Sequence, residues 1–171
     1  MSRFFGRIMQ NGYAVPDWRA AAAQWSDAHG VGPFFAMEHI EFDWCEYRGE
    51  AVELDLSVGI AYTGNYQIEL VQQHNDAPSI YTDFLGSNPP GLQHVGAMVE
   101  EVDGVLRQHD LHGRVVQQGR TAAGVRFAYL DMGGHNGSML ELIESSEAVI
   151  KAFDYMRTCA LEWDGSDPIR G

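Results

Sequence analysis

The sequence contains few cysteines and no long apolar run. Cys45 and Cys159 are its two cysteines, and they lie far apart without CxxC spacing. That number is too small for a disulfide framework, and the spacing is wrong for structural zinc, so we expect free thiols. No segment reaches the roughly 18 apolar residues of a membrane-spanning helix, and the first residues lack the apolar core of a signal peptide. These absences predict a soluble, cytoplasmic protein.

Positive charge is also scarce. Ten arginines and one lysine stand against 24 acidic residues, which gives a formal net charge of −13. Such a surface repels phosphate backbones and anionic lipids, so nucleic acid and membrane are excluded as partners. The same shortage argues against a CoA or glutathione site that works by electrostatic attraction. Apolar side chains, by contrast, make up 45% of the 171 residues, enough for a sizeable core.

Two stretches of the chain share one pattern. The segment 91–103, GLQHVGAMVEEVD, alternates like a strand, carries one histidine, and ends in acidic residues that can begin a helix. The segment 8–18, IMQNGYAVPDW, has the same layout, with Gln10 at the position of His94. A helix follows each one, predicted over 18–29 and over 102–111, where Gly30 and Gly113 would end it. Three strands complete each half, predicted over 37–48, 52–62 and 66–72, and over 114–118, 125–131 and 138–143.

This repetition indicates internal duplication of a βαβββ unit. We therefore predict an α+β fold in which two tandem βαβββ modules form one open, barrel-like cavity. The chain is expected to be a single domain, 1–171. Module one spans about 6–73, a connection with a short helix about 74–90, module two about 91–145, and a C-terminal helix (147–161) with an irregular tail about 146–171. A homodimer is expected because curled sheets leave edges to cover.

A glutamate interrupts the last strand of each half. Glu69 lies between aliphatic residues in YQIELVQ, and Glu141 does so in SMLELIES. A carboxylate in a buried strand is costly unless it is paired or bound to a metal. Together with Gln10 and His94 at matched positions of the first strands, the two glutamates form a candidate four-ligand set. Gly12 lies two positions after Gln10, and Gly96 lies two positions after His94. We expect each glycine to leave room beside the ligand of its own strand.

These motifs resemble the vicinal oxygen chelate superfamily, which includes glyoxalase I, methylmalonyl-CoA epimerase, extradiol dioxygenases, and the fosfomycin and bleomycin resistance proteins. The matching pieces are NGYAVPDWRAAAAQW, GVGPFF, QIELVQ, GLQHVGAMVEEVD and SMLELIE, which together extend over about 8–144. The first piece is most similar to the glyoxalase-like branch that contains the epimerase.

The resemblance implies a metal site and a reaction. It places the metal ligands on Gln10, Glu69, His94 and Glu141, the chain order of the glyoxalase I type. Such a set suits one divalent ion, Zn, Ni, Co, Mn or Mg. The implied reaction removes a proton next to a carbonyl through a metal-stabilised enediolate or enolate, with Glu141 as base and Glu69 as its counterpart. The predicted function is a metal-dependent lyase or isomerase of glyoxalase or epimerase type acting on a small carbonyl compound.

Two other functions stay open. A non-catalytic or resistance-type protein of this fold would hold an apolar molecule without metal, since fold alone does not decide function. An extradiol dioxygenase is less favoured because those enzymes use two histidines and one glutamate, and Gln10 does not fit that set.

Other polar residues receive ordinary structural interpretations. The EHIE cluster of Glu38, His39 and Glu41 fits either a site entrance or a solvated strand edge, and we favour the edge. His135 in GGHNGS is predicted to lie in a turn that glycines shape. Arg126 is interpreted as a surface arginine, with contact to an anionic substrate as the alternative.

Overall fold

The computed structural model describes residues 2, 4–133 and 139–171; the predicted turn at His135 lies outside them. Within the described residues the helices are α1 (Trp18–His29), α2 (Ile80–Ser87), α3 (Val102–Gln108) and α4 (Glu147–Leu161). None of these described helices is long and apolar enough to cross a membrane. The described strands are β1 (Ile8–Ala14), β2 (Phe34–Met37), β3 (Phe42–Tyr47), β4 (Glu50–Ala51), β5 (Leu56–Thr63), β6 (Tyr66–Gln73), β7 (Gly91–Val99), β8 (Val115–Thr121), β9 (Arg126–Leu130), β10 (Met139–Glu144) and β11 (Ile169–Arg170).

All eleven strands form one curled sheet in the order β11-β2-β5-β6-β1-β7-β10-β9-β8-β3-β4. At its centre β1 pairs antiparallel with β7, and each of them pairs in parallel with the last strand of its own half, β6 or β10. The order β2-β5-β6-β1 in one half therefore matches β8-β9-β10-β7 in the other. This confirms the predicted fold of two βαβββ modules around an open cavity.

Helix α1 shows why one face of each half is apolar. Asp17 caps its first turn by accepting a hydrogen bond from the backbone N–H of Ala20, and Gly30 ends it in the left-handed conformation (φ 63°). Its buried Trp18 packs in one apolar cluster with Leu70 of β6. Because side chains alternate along a strand, neighbours of Leu70 on β6 must point the other way, into the curl of the sheet.

The second half repeats this arrangement. Leu140 and Leu142 of β10 pack in an apolar cluster with Leu106 of α3 on the outer face. Helix α4, capped by Ser146, lies across the inner side, where Phe153 and further apolar residues of the helix line the cavity. The elements thus leave an inner surface that is closed on one side by α4.

The prediction of one continuous strand over 37–48 is wrong. The chain forms β2, breaks at His39, and starts again as β3. His39 adopts the left-handed conformation (φ 49°), which no regular strand accommodates. Strand β3 then pairs antiparallel with β8, in the other half of the molecule. The first of the three strands after α1 is therefore β2 (Phe34–Met37), which begins before the predicted range and ends where that range was expected to start.

The start of β5, the end of α3 and the tail also differ from prediction. Strand β5 begins at Leu56 rather than Val52, because the backbone N–H of Val52 bonds to the carbonyl of Cys45 in the β3–β4 hairpin. Helix α3 ends at Gln108, since Asp110 (φ 53°) adopts the left-handed conformation that Gly113 was expected to supply. The tail is not wholly irregular: β11 pairs with β2.

Candidate metal centre

The four predicted ligands converge from four adjacent strands of the sheet. Gln10 lies on β1, Glu69 on β6, His94 on β7 and Glu141 on β10, and their exposed fractions are 1%, 8%, 0% and 6%. One ligand atom each of Glu69, His94 and Glu141 lie within 4.8 Å of one another. Gln10 lines the same cavity as the two glutamates. The structure therefore brings together all four residues that the sequence singled out.

Gly12 makes the close approach of β1 and β7 possible. It pairs with Glu69 on one side and with His94 on the other. A Cβ atom on Gly12 would lie only 1.9 Å from Cε1 of the His94 ring. The imidazole therefore occupies the space that any larger residue at position 12 would fill.

Gly96 has the matching role on β7. It pairs with Glu141 on one side and with Gln10 on the other, and a Cβ atom there would lie 1.9 Å from Oε1 of Gln10. The expectation that each glycine makes room for the ligand of its own strand is thus wrong. Each glycine accommodates the ligand of the neighbouring strand, because antiparallel pairing sets ligand opposite glycine.

Four buried polar atoms in the cluster have no hydrogen-bond partner among the described residues: Oε1 of Gln10, Oε2 of Glu69, Nε2 of His94 and Oε2 of Glu141. Nε2 of His94 is 3.0 Å from Oε2 of Glu69 and 3.4 Å from Oε2 of Glu141. These contacts do not satisfy hydrogen-bond geometry, and a buried polar atom without a hydrogen bond costs about 1–3 kcal/mol, or more for a charged group. Three oxygen donors and one imidazole nitrogen fit a divalent cation, which would satisfy all four atoms together.

The electrostatics of the cluster also favour a cation. Burial alone lowers the pKa of His94, but interactions with Glu141 and Glu69 outweigh it and raise that pKa to about 9. Burial raises the pKa of Glu69, and the negative charge of Glu141 raises it further, against opposing interactions with His94 and Gln10. Two buried carboxylates thus share a single imidazole as counter-ion. A divalent cation would supply the charge that one imidazolium lacks.

Gln93, which the sequence interpretation missed, holds the His94 ring. Its Oε1 accepts a hydrogen bond from Nδ1 of His94 at 2.8 Å, which leaves Nε2 free to face the glutamates. If side chains alternated strictly along β7, those of Gln93 and His94 would point to opposite faces of the sheet. However, the consecutive residues Gly12 and Tyr13 of β1 pair with His94 and Leu92 of β7. The pairing skips Gln93, which is therefore the extra residue of a β-bulge. No local sequence signal marks that bulge.

Two tyrosines form the wall beside the imidazole. The hydroxyl oxygens of Tyr81 and Tyr129 are 2.8 Å apart, and the Tyr129 ring meets the His94 ring edge-on with centroids 5.1 Å apart. Burial, followed by the charges of the two cluster glutamates, raises the pKa of both tyrosines well above the usual value. Both hydroxyls therefore stay protonated. The sequence interpretation missed this pair because buried aromatics are ordinarily core.

The cluster lies at the base of a cavity of about 620 Å³. Most side chains lining it are apolar, among them Ile60, Phe127 and Phe153. Glu38, His39 and Glu41 line it too, and all three are exposed, so the EHIE cluster forms the mouth of the cavity rather than the strand edge that we favoured. The reason is the break after β2, which turns this loop over the opening.

Arginine and lysine are missing from the described lining of the cavity. Arg126, expected at the surface, is instead buried beside Trp44, where its guanidinium donates hydrogen bonds to Oε1 of Gln118 and Oδ1 of Asp103. It is therefore a structural residue, and the anionic-substrate alternative for Arg126 has no support from its position.

Comparison with known structures gives the same fold. The chain is similar to methylmalonyl-CoA epimerase from Mycobacterium tuberculosis (21% identity, 88% of this chain and 95% of that chain covered, TM-score 0.63). It is also similar to a Streptomyces coelicolor methylmalonyl-CoA epimerase variant in complex with 2-nitronate-propionyl-CoA (19% identity, 82% and 95% covered, TM-score 0.56). A hypothetical protein from Bacillus halodurans matches with 16% identity, 82% and 95% coverage and a TM-score of 0.60.

Sequence comparison points to the same group. No curated protein sequence matches the chain. The model of the glyoxalase/bleomycin resistance protein/dioxygenase superfamily, however, matches residues 9–129, from the first strand of module one to the strand before the last glutamate. With this match over most of its length, the chain belongs to the glyoxalase/bleomycin resistance protein/dioxygenase superfamily.

Proposed function

We propose that this protein is a divalent-metal-dependent lyase or isomerase that removes a proton next to a carbonyl group of a small substrate. One observation carries the proposal: four buried side-chain atoms without hydrogen-bond partners among the described residues converge at the base of a cavity. Gln10, Glu69, His94 and Glu141 would hold the ion. When bound, the ion would supply Lewis-acid stabilisation of the negative charge that develops on a carbonyl oxygen.

Glu141 is the proposed base. Its Oε2 lies 3.4 Å from Nε2 of His94, whereas Oε2 of Glu69 lies at 3.0 Å and is held more closely by the imidazole. The less tightly held carboxylate is the better candidate to turn and accept a proton from a substrate. Glu69 would keep the imidazole in place. The apolar walls, including Phe127 and Ile60, exclude water from the carbanion that proton removal creates.

The substrate we propose is uncharged. Two of the similar epimerase structures are complexes with methylmalonyl-CoA and with 2-nitronate-propionyl-CoA. A CoA group brings phosphates, which need cationic side chains. Here the described lining holds no arginine or lysine, and the mouth carries the carboxylates of Glu38, which pairs with Arg19, and Glu41. Electrostatics at the mouth therefore favour a small neutral carbonyl compound over an acyl-CoA.

Metal content combined with proton exchange tests the proposal. Protein purified without added metal or chelator is analysed by elemental mass spectrometry, and about one divalent ion per chain is expected. The metal-loaded protein is then incubated in D2O with hemithioacetals and with 2-substituted acyl thioesters of N-acetylcysteamine, an uncharged surrogate of CoA. Deuterium at the carbon next to the carbonyl, absent with Glu141→Gln, supports the proposal. Absence of metal after incubation with Zn, Ni, Co, Mn and Mg would refute it.

The alternative is a non-catalytic binder, which the large and mostly apolar cavity supports. Such a protein would take up an apolar ligand in the same way with and without metal. Equal ligand affinity of chelated and metal-loaded protein, without proton exchange, would favour this alternative. The predicted homodimer also stays a prediction, and sedimentation equilibrium would test it.

A further inference from the structure

Three side chains outside the buried centre meet at the cavity mouth. They are His39 in the loop after β2, Asp55 just before β5, and His74 just after β6. One ring nitrogen of each histidine and a carboxylate oxygen of Asp55 lie within 4.8 Å of one another. Nδ1 of His39 is 2.7 Å from Oδ1 of Asp55, and the two imidazole rings stack with centroids 4.7 Å apart. We call this group the mouth triad.

The backbone, and not only mutual attraction, holds the triad together. The N–H of His39 donates a hydrogen bond to the buried hydroxyl of Ser57 at 3.1 Å, and the same hydroxyl lies 2.8 Å from Nε2 of His74. The N–H of His74 donates to the carbonyl of Asp55 at 2.8 Å. His39 keeps a left-handed backbone (φ 49°), a conformation that costs about 1–3 kcal/mol and is maintained by the surrounding structure.

A simple ion pair explains this arrangement poorly. The side chains of His39 and Asp55 are 66% and 39% exposed, and pairs so exposed contribute little to stability. An ion pair between His39 and Asp55 also does not explain why the His74 ring, bound to the Ser57 hydroxyl, stacks on a second imidazole. Two imidazoles and one carboxylate are, however, the protein ligands of many zinc sites that keep a fourth position open. Exposure gives a solvated ion access, and the acidic mouth around Glu38 and Glu41 attracts it.

We propose that His39, Asp55 and His74 form a second divalent-metal site, suited to zinc and separate from the buried centre. An ion at this site would replace the direct 2.7 Å contact between His39 and Asp55. This site does not depend on the proposed function, because it shares no ligand with the buried centre. Since His39 lines the cavity, a bound ion would place positive charge and an open coordination position at the entrance.

Zinc uptake by chelator-treated protein tests the proposal. After equilibrium dialysis against zinc chloride, elemental mass spectrometry should find two ions per wild-type chain and one in His39→Gln/His74→Gln. The matched control His29→Gln/His112→Gln removes two exposed histidines elsewhere and should keep both ions. Uptake by the His39→Gln/His74→Gln variant equal to that of wild type would overturn the proposal.

The two sites can fail independently. The variant Glu69→Gln/Glu141→Gln should lose one ion and retain the one at the mouth triad. If the buried centre binds nothing, wild type takes up one ion and His39→Gln/His74→Gln takes up none, which refutes the proposed function and supports the mouth triad. In the wild-type protein, zinc should also shift the imidazole NMR signals of His39 and His74 together. Unchanged signals at saturating zinc would contradict the proposal without any variant.

Discussion

The imidazole of His94 fills the space over Gly12, so that its Cε1 lies 1.9 Å from where a Cβ of that residue would stand. The contact joins the first strands of the two modules at the centre of the sheet. The candidate site is therefore built across the seam between the modules, and its geometry depends on the absence of a side chain.

Gly12→Ala tests this dependence. The added methyl group should push the His94 ring out of place, lower the metal content, and destabilise the chelated protein by about 1–3 kcal/mol through overpacking. Urea unfolding and elemental mass spectrometry measure both effects. Gly113→Ala is the matched control, because apart from its chain neighbours no described residue has an atom within 4 Å of its added Cβ. Wild-type metal content in Gly12→Ala would contradict the placement of His94 in the site.

Gln93→Leu should weaken metal binding without removing a ligand. The leucine cannot accept the hydrogen bond from Nδ1 of His94, so the ring loses its fixed orientation and tautomer. Loss of such a supporting contact typically costs about 10- to 100-fold in metal affinity. Competition with a chromophoric chelator measures this affinity. Gln108→Leu, at the exposed end of α3, serves as control. Equal affinities in both variants would mean that Gln93 does not position His94.

The acidic mouth should select against anionic ligands. N-phenyl-1-naphthylamine and its sulfonate, 8-anilinonaphthalene-1-sulfonate, have nearly the same shape but differ by one charge. The neutral probe should bind at least about tenfold more tightly, since juxtaposed like charges cost several kcal/mol. Fluorescence titration of the chelated protein, in which no ion at the mouth triad adds positive charge, gives both affinities.

The variant Glu38→Gln/Glu41→Gln tests the source of this selectivity. It should reduce the difference in affinity between the two probes. Glu100→Gln/Glu101→Gln removes the same charge at the start of α3 and should leave the difference unchanged. If the sulfonate binds the wild-type protein as tightly as the neutral probe, the proposal of an uncharged substrate is wrong.

The two cysteines should differ in their reaction with iodoacetamide. Burial is the main reason that the pKa of the Cys45 thiol is raised to about 11, so about one molecule in a thousand carries the thiolate at pH 8. A raised pKa delays deprotonation, so labelling of Cys45 should increase about tenfold per pH unit between pH 8 and 10. Cys159 is partly exposed and should react first. Peptide mass spectrometry measures each rate, and Cys45 labelling as fast as Cys159 at pH 8 would contradict the burial.

The sequence predicted best those features that depend on local chemistry. Helix α1 appears with its expected bounds because Asp17 and Gly30 specify its two ends. The two strand glutamates were recognisable because a buried carboxylate needs a partner, and the structure brings both to His94. Repetition along the chain then supplied the fold.

Features that depend on pairing between strands far apart in the sequence could not be predicted in this way. The alternation in β3 indicates a strand but not that its partner, β8, belongs to the other half. Gly12 and Gly96 each make room for the ligand of the neighbouring strand, which can be seen only once the register of β1 against β7 is known. The bulge at Gln93 likewise exists only relative to the opposite strand. Each of these depends on which segments meet, and neither composition nor periodicity contains that information.

The β3–β4 hairpin makes the two halves mutually dependent. It branches from the first half of the chain yet continues the sheet of the second half through β8. If the chain were cut in the connection between the halves, one fragment would keep a hairpin without its neighbour and the other would expose β8 as a bare edge. Neither half therefore has all of its strand partners without the other, since the first supplies β3 to β8 and the two share the β1–β7 pair.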